Sequence, residues 1–180
     1  MSEPLALTIE GQPGLDPGDG TEAQRGFRNA LGQFATGVTV MTALSPGGDR
    51  LGITVTSFNS LSLDPPLILW SLGRDGGSFA CFQAGTAFAV NVLAGDQEPV
   101  AQRFARIGIP KFEGIATYDG LDGVPLIGGC VGYFECRVEA RYPGGDHDII
   151  VGRVRRLFNV GGTPLLFHQG VLKPLERTAR

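Results

Sequence analysis

Gly52-Ile53-Thr54-Val55-Thr56-Ser57-Phe58-Asn59-Ser60-Leu61-Ser62-Leu63-Asp64-Pro65-Pro66 alternates apolar and hydroxyl residues with a period of two. That period is the signature of an extended strand with one face unlike the other, and the reading places a strand over residues 51–59. Asp64-Pro65-Pro66 ends it, because proline lacks the N–H that a ladder needs. If the chain stays regular, the hydroxyls at 54, 56, 60 and 62 point to one face. Two readings of that strip stay open. It can hydrogen-bond the edge of a flat heteroaromatic ring or a polyol chain, or it is a barrel strand in which threonine serves β-propensity and serine the approach to a turn.

Upstream, residues 1–20 are rich in Pro, Gly and Asp without periodicity and read as a flexible tail. Gly18-x-Gly20-x-x-Ala23 has the outline of a dinucleotide fingerprint, but no strand precedes it, so it carries no weight. Thr21 and Gln24 are spaced as a capping box. Phe27, Ala30, Leu31 and Phe34 follow helical spacing, and Gly37 suits the helix end. From Val38 the period becomes two again, up to the turn Ser45-Pro46-Gly47-Gly48-Asp49. Downstream, Leu67 to Leu72 is short and continuously apolar, as a strand buried on both faces is. Strands follow over 87–93, 131–142 and 149–160, the last two joined by Pro143-Gly144-Gly145-Asp146 into a long hairpin, with a final short strand over 164–168. Short helices fit near 78–83 and 97–105. About seven strands, few helices and 28 glycines point to a mainly β fold. We expect an antiparallel barrel, closed or partly open, because a parallel sheet needs long crossover helices. Residues 21–175 form the expected single domain.

The 180 residues carry a net charge of −3 and a pI near 5.3, which argues against nucleic acid as the partner. Lys111 and Lys173 are the only lysines; arginine, suited to planar phosphate or carboxylate contact, carries the other positive charges. The N-terminus shows no basic stretch followed by an apolar run, and no 18-residue apolar run occurs, so the expectation is a cytoplasmic protein outside the membrane. Cys81, Cys130 and Cys136 lack CxxC spacing and read as buried thiols; on one strand Cys130 and Cys136 would share a face. His147 and His168 are the only histidines, without HExxH, a GxSxG elbow or a phosphate loop, and no metal site is expected. A Ser-His-Asp triad is neither located nor excluded. The chemistry is therefore expected of a bound cofactor.

Ala35-Thr36-Gly37-Val38-Thr39-Val40-Met41-Thr42 followed by the Gly52–Pro66 stretch resembles the opening of the flavin reductase-like family. The likeness continues through Arg74-Asp75-Gly76-Gly77-Ser78-Phe79, Phe88-Ala89-Val90-Asn91-Val92-Leu93, Ala101-Gln102-Arg103-Phe104 and Lys111-Phe112-Glu113-Gly114. Pro125-Leu126-Ile127, Gly144-Gly145-Asp146-His147-Asp148 with the strand after it, and Pro164-Leu165-Leu166-Phe167 close the set, in order, over about residues 25–172. The resemblance implies a split β-barrel and a homodimer with flavin near its interface. It also implies hydride transfer from NADH or NADPH to FMN or FAD, with reduced flavin supplied to a separate monooxygenase component. By the same resemblance Gly52, Ile53, Thr54, Thr56 and Ser57 would line the isoalloxazine and ribityl chain, with Ser71 and Leu72 beside them. Gly77 and Ser78 would meet the phosphate at a helix start, completed by Arg103 and Phe104.

His147 would lie close to flavin and nicotinamide as the catalytic residue, and His168 and Gly170 would contact the nicotinamide. Read from the residues alone, Ser78 is a simple N-cap, Arg103 a solvated helix charge and His147 an exposed turn histidine. Gly170-Val171-Leu172 departs from the family, whose members carry an arginine or acid and then tyrosine after the glycine. Three other readings remain: an FMN-binding electron carrier with little nicotinamide turnover, another split-barrel protein handling pyridoxamine phosphate or haem, and a non-catalytic interaction subunit.

Overall fold

The alternation around residue 40 becomes one strand of a seven-stranded antiparallel sheet in the computed structural model, which describes residues 8–76, 79–84 and 86–176. The elements in chain order are β1 (Thr8–Ile9), β2 (Gln12–Pro13), α1 (Thr21–Gly32), β3 (Thr36–Gly37), β4 (Thr39–Leu44), β5 (Arg50–Val55), β6 (Asn59–Ser62) and β7 (Leu67–Gly73). They continue as α2 (Phe79–Ala84), β8 (Ala87–Val92), α3 (Glu98–Ala105), β9 (Thr117–Asp119), β10 (Pro125–Ile127), β11 (Gly132–Gly144), β12 (His147–Asn159), β13 (Leu165–His168) and β14 (Val171–Pro174). Among the described residues no helix is long and apolar enough to cross a membrane. Among the described residues, 8–35 with His168–Val171 form a small compact unit, and those of 36–167 with 172–176 form the larger one.

The large sheet runs β5-β4-β8-β11-β12-β7-β6. Its two edge strands, β5 and β6, are consecutive in the chain, with only Thr56, Ser57 and Phe58 between them. Laid flat, seven strands would hold their edges about 29 Å apart at the usual ~4.8 Å spacing. The step from Val55 to Asn59 spans at most about 14 Å. The sheet therefore curls enough to bring the ends of its two edge strands within that distance at the corner. Register shifts between Glu135 and Cys136 and between Val138 and Ala140 bend the β11–β12 hairpin in support.

This corner corrects the strand expected over 51–59. The chain leaves one edge of the sheet at Val55 and rejoins the other at Asn59, so Thr54 and Ser60 do not share a strand and the parity argument does not carry across. The first helix departs at both ends. Gly20, at φ 101°, is its N-cap; Thr21 is already helical, and no side chain caps the helix, so the Thr21–Gln24 box does not form. The helix ends at Gly32, capped by Gln33, and Gly37 lies in β3 instead. The final strand is a hairpin: β13 and β14 are joined by Gln169 and Gly170, both at positive φ.

β4 is buried on both faces, and its alternation divides the core in two. Val38 and Val40 pack with Ala89, Leu93, Ala101, Phe104 and Ile127 under α3 and β10. Met41 and Ala43 pack with Trp70, Leu72, Phe82, Phe88 and Ile150 under α2. The two buried free cysteines divide likewise, Cys130 into the first cluster and Cys136 into the second. They do not share a strand face, since β11 begins only at Gly132. Burial pushes both thiols up to about 12. The side chain of Cys81 lies outside the described residues.

Asn91, fully buried, ties β10 to the sheet. Its amide donates to the Val40 carbonyl at 2.9 Å and to Thr42 Oγ1 at 3.0 Å, while its Oδ1 accepts from the Ile127 N–H at 2.7 Å. Such a satisfied buried amide fixes the register of what it joins.

Candidate functional site

β7 and β12 pair with Ser71 opposite Ile149, Leu72 opposite Asp148 and Gly73 opposite His147. Alternation puts Ser71, Gly73, His147 and Ile149 on one face and Leu72, Asp148, Trp70 and Ile150 on the other. The second set points into the core; the first is a half-exposed shelf beside the corner where the sheet edges meet. Ser57 locks that corner to the shelf: the Ser71 N–H donates to Ser57 Oγ at 3.0 Å, and Ser57 Oγ lies 3.4 Å from the Ser71 carbonyl oxygen. A serine can do this because its hydroxyl both accepts and donates.

His147 opens β12 at the shelf's end. Its Nδ1 lies 2.7 Å from Asp146 Oδ1; the carboxylate can only accept, so Nδ1–H donates to it and Nε2 is left available. That hydrogen bond holds the Asp146 carboxyl below the usual carboxylate range. A Cβ on Gly73 would stand 3.5 Å from His147 Nε2. With no side chain at Gly73 the shelf stays flat beside Nε2, and a planar heterocycle laid on the shelf would meet backbone, a hydroxyl and one imidazole nitrogen. That donor set fits a flavin ring.

A second group of expected residues gathers elsewhere. On β5, Gly52 and Thr54 face α3. Thr54 Oγ1 donates to the Ala101 carbonyl at 2.7 Å, which spends its proton within the protein. Phe104 is fully buried against Phe112 directly behind Gly52, so it supports the strand from the core and its ring touches no ligand. Arg103 donates to the Glu113 carbonyl and lines a cleft of about 440 Å³ with Gln102, Arg106 and Pro110. Ile53 packs its side chain against the second core cluster, and Leu72 belongs to it; only their backbones are available to a ligand. Thr56 is exposed at the corner. His168 and Gly170 lie in the small unit, where the Gln169 N–H between them donates to the Gly32 carbonyl at 3.1 Å. Gly77 and Ser78 lie outside the described residues.

Lys111 was not singled out from sequence. Its Nζ donates to the Gly52 carbonyl at 2.9 Å and the Phe104 carbonyl at 2.8 Å, clasping β5 to the end of α3, and burial lowers its pKa. Its rarity in a chain that otherwise uses arginine was the available signal. Among the described residues no cluster of His, Cys, Asp and Glu could hold a metal ion.

The profile of the family described as "flavin reductase like domain" matches residues 31–176. The FMN reductase (NADH) of Agrobacterium fabrum is 46% identical over 158 residues, covering 88% of this chain and 90% of its own. The reductase subunit of a flavin-dependent monooxygenase of Rhodococcus jostii is 37% identical over 165 residues, covering 88% and 84%. Among solved structures, the NADH:FAD oxidoreductase of Streptomyces globisporus, in complex with NAD and FAD fragments, superposes with a TM-score of 0.81 at 35% identity, covering 92% of this chain and 96% of that one.

Proposed function

The chain belongs to the flavin reductase like domain family, and on that premise we propose that it is an NADH-dependent flavin reductase serving a separate monooxygenase component. One observation carries the reading: the shelf on which His147 Nε2 overhangs Gly73 beside the Ser57–Ser71 lock. Relatives named as an NADH-dependent FMN reductase, a monooxygenase reductase subunit and an NADH:FAD oxidoreductase support it. Flavin, FMN or FAD, held on the shelf by Ser57, Ser71, Gly73 and His147, would supply the chemistry when bound: acceptance of a hydride from the reduced nicotinamide, leaving NAD⁺.

The chain's own residues bind and orient. Ser57 and Ser71 hold the edge of the shelf, Gly73 keeps it flat, and His147 Nε2 offers a hydrogen bond to the cofactor pair. Hydride transfer itself asks no acid or base of the protein, so His147 acts by orientation and charge. Arg103 keeps guanidinium N–H groups free of the Glu113 contact for the phosphate end.

We read the curled sheet as a split β-barrel, and the assembly as a homodimer joined near β6, where Leu61 is half exposed and Leu63 is 95% exposed. Free, buried Cys130 and Cys136 agree with a reducing, cytoplasmic setting. The test is steady-state NADH and NADPH oxidation with FMN, FAD or no added flavin. Flavin-dependent turnover that collapses in His147→Ala is expected; tight flavin binding without turnover would overturn the assignment.

A further inference from the structure

Arg74 follows directly on β7, and its contacts converge on the turn that carries His147. Its backbone N–H donates to the Asp146 carbonyl at 3.0 Å. Its Nη1 donates to the Gly145 carbonyl at 3.0 Å. Its Nε donates to Asp148 Oδ1 at 2.8 Å, with Nη2 2.6 Å from the same oxygen. Asp148 points away from the shelf with its side chain only 9% exposed, so its carboxylate needs that guanidinium. One side chain thus brackets His147, fixing residue 145 before it and residue 148 after it. Asp146, between them, holds Nδ1.

A turn closed by Gly144 and Gly145 has no stiffness of its own, and Gly145 stands at φ 71°. Asp146 holds the imidazole from within the turn, and Arg74 holds the turn itself from outside. Lysine could pair with Asp148 but could not also reach the Gly145 carbonyl, because it lacks the rigid fork of donors.

We infer that Arg74 is a positioning residue for the reductase reaction, acting through the Gly145–Asp148 turn to hold His147 Nε2 over the Gly73 cradle. The inference rests on the proposed role of His147. It also assigns Gly73 a part: the absence of a Cβ keeps open the space beside Nε2. Alanine there would make only an ordinary van der Waals contact with the ring at 3.5 Å, so it folds normally yet occupies that space.

The experiment measures flavin Kd, kcat, KM for NADH and melting temperature for Arg74→Lys, Gly73→Ala, His147→Ala and the Arg74→Lys/His147→Ala pair. An Arg74→Gln/Asp148→Asn double variant removes the buried-charge problem if Arg74→Lys folds poorly. Misplacing the imidazole by ~1 Å is expected to lower kcat/KM for NADH by about 10- to 100-fold, with flavin Kd unchanged and melting near native. Gly73→Ala, which puts a methyl on the shelf assigned to the flavin ring, should lower kcat/KM as well and also raise flavin Kd. In the His147→Ala background Arg74→Lys should have no further effect. Native kinetics in Arg74→Lys and in the double variant, or losses that multiply with those of His147→Ala, overturn the positioning role and leave the reductase reading standing. Full activity in His147→Ala removes His147 from the site and the inference with it.

Discussion

Replacing Gly52 by alanine tests the packing that holds β5 at the site. A Cβ there would stand 2.4 Å from Phe104 Cε1, 2.5 Å from Phe104 Cδ1 and 3.3 Å from Phe112 Cζ. Carbon atoms rest at about 3.5–4.0 Å, so strand and ring must part by more than 1 Å. Phe104 has nowhere to go: it is 0% exposed and lies edge-on to Phe112, centroids 5.0 Å apart at 84°. The strand must move instead, straining the Thr54–Ala101 and Lys111–Gly52 hydrogen bonds. Overpacking costs about 1–3 kcal/mol and strain in two hydrogen bonds about 1 more. At about 2–4 °C per kcal/mol for a chain this size, the melting temperature should fall by about 4–16 °C. Thermal melts of Gly52→Ala, Phe104→Leu and the double variant decide it. Trimming the ring should relieve the clash, so the double variant should be more stable than the two single losses predict, by about 1–2 kcal/mol of coupling. A Gly52→Ala protein that melts within about 2 °C of native would refute the packing account. If flavin affinity nonetheless fell, the glycine would be there for the ligand.

Thr54→Val keeps the β-branched shape but leaves the Ala101 carbonyl without its donor; a loss of about 1 kcal/mol in urea unfolding is expected. Lys111→Met keeps the apolar stem while two carbonyls on β5 and α3 lose their ammonium, and a loss of about 1–3 kcal/mol in the same unfolding measurement is expected. Glu135, 1% exposed, accepts from Arg156 and from the Leu121 N–H, and chiefly the Arg156 hydrogen bonds hold its carboxyl below the usual range. A depressed folded-state pKa stabilises fully above the ordinary value near 4.3 and loses that contribution as pH falls through the folded value. Melting temperature should therefore decline below about pH 4.3, and the gap between native protein and Glu135→Gln should narrow over the same range; a gap constant from pH 7 downward would contradict this.

The sequence by itself determined whatever depends on neighbours along the chain. The β11–β12 hairpin was legible because two alternating runs flank a turn rich in glycine, and the apolar run of Leu67 to Leu72 announced a strand; its expected burial on both faces does not hold, since only the Ile68, Trp70 and Leu72 face is fully buried and the other is half-exposed. The ordered blocks from Ala35 to Phe167 were enough to identify the family and the hydride chemistry that goes with it. Tertiary structure decided which face each residue turned to what. Parity places Gly52 and Thr54 on one side of β5, yet only the packing of α3 shows that Phe104 and the Ala101 carbonyl are what they meet there. The hydroxyl strip of residues 54–62 looked continuous because local alternation cannot see that the sheet curls and the chain changes edges at Thr56–Phe58. What Arg74, Asn91 and Lys111 do could not be read from their letters, since each acts through partners between seven and 74 positions away. Periodicity records the direction of a side chain relative to its own strand; what it meets there is set by long-range closure, and the site is made of such meetings.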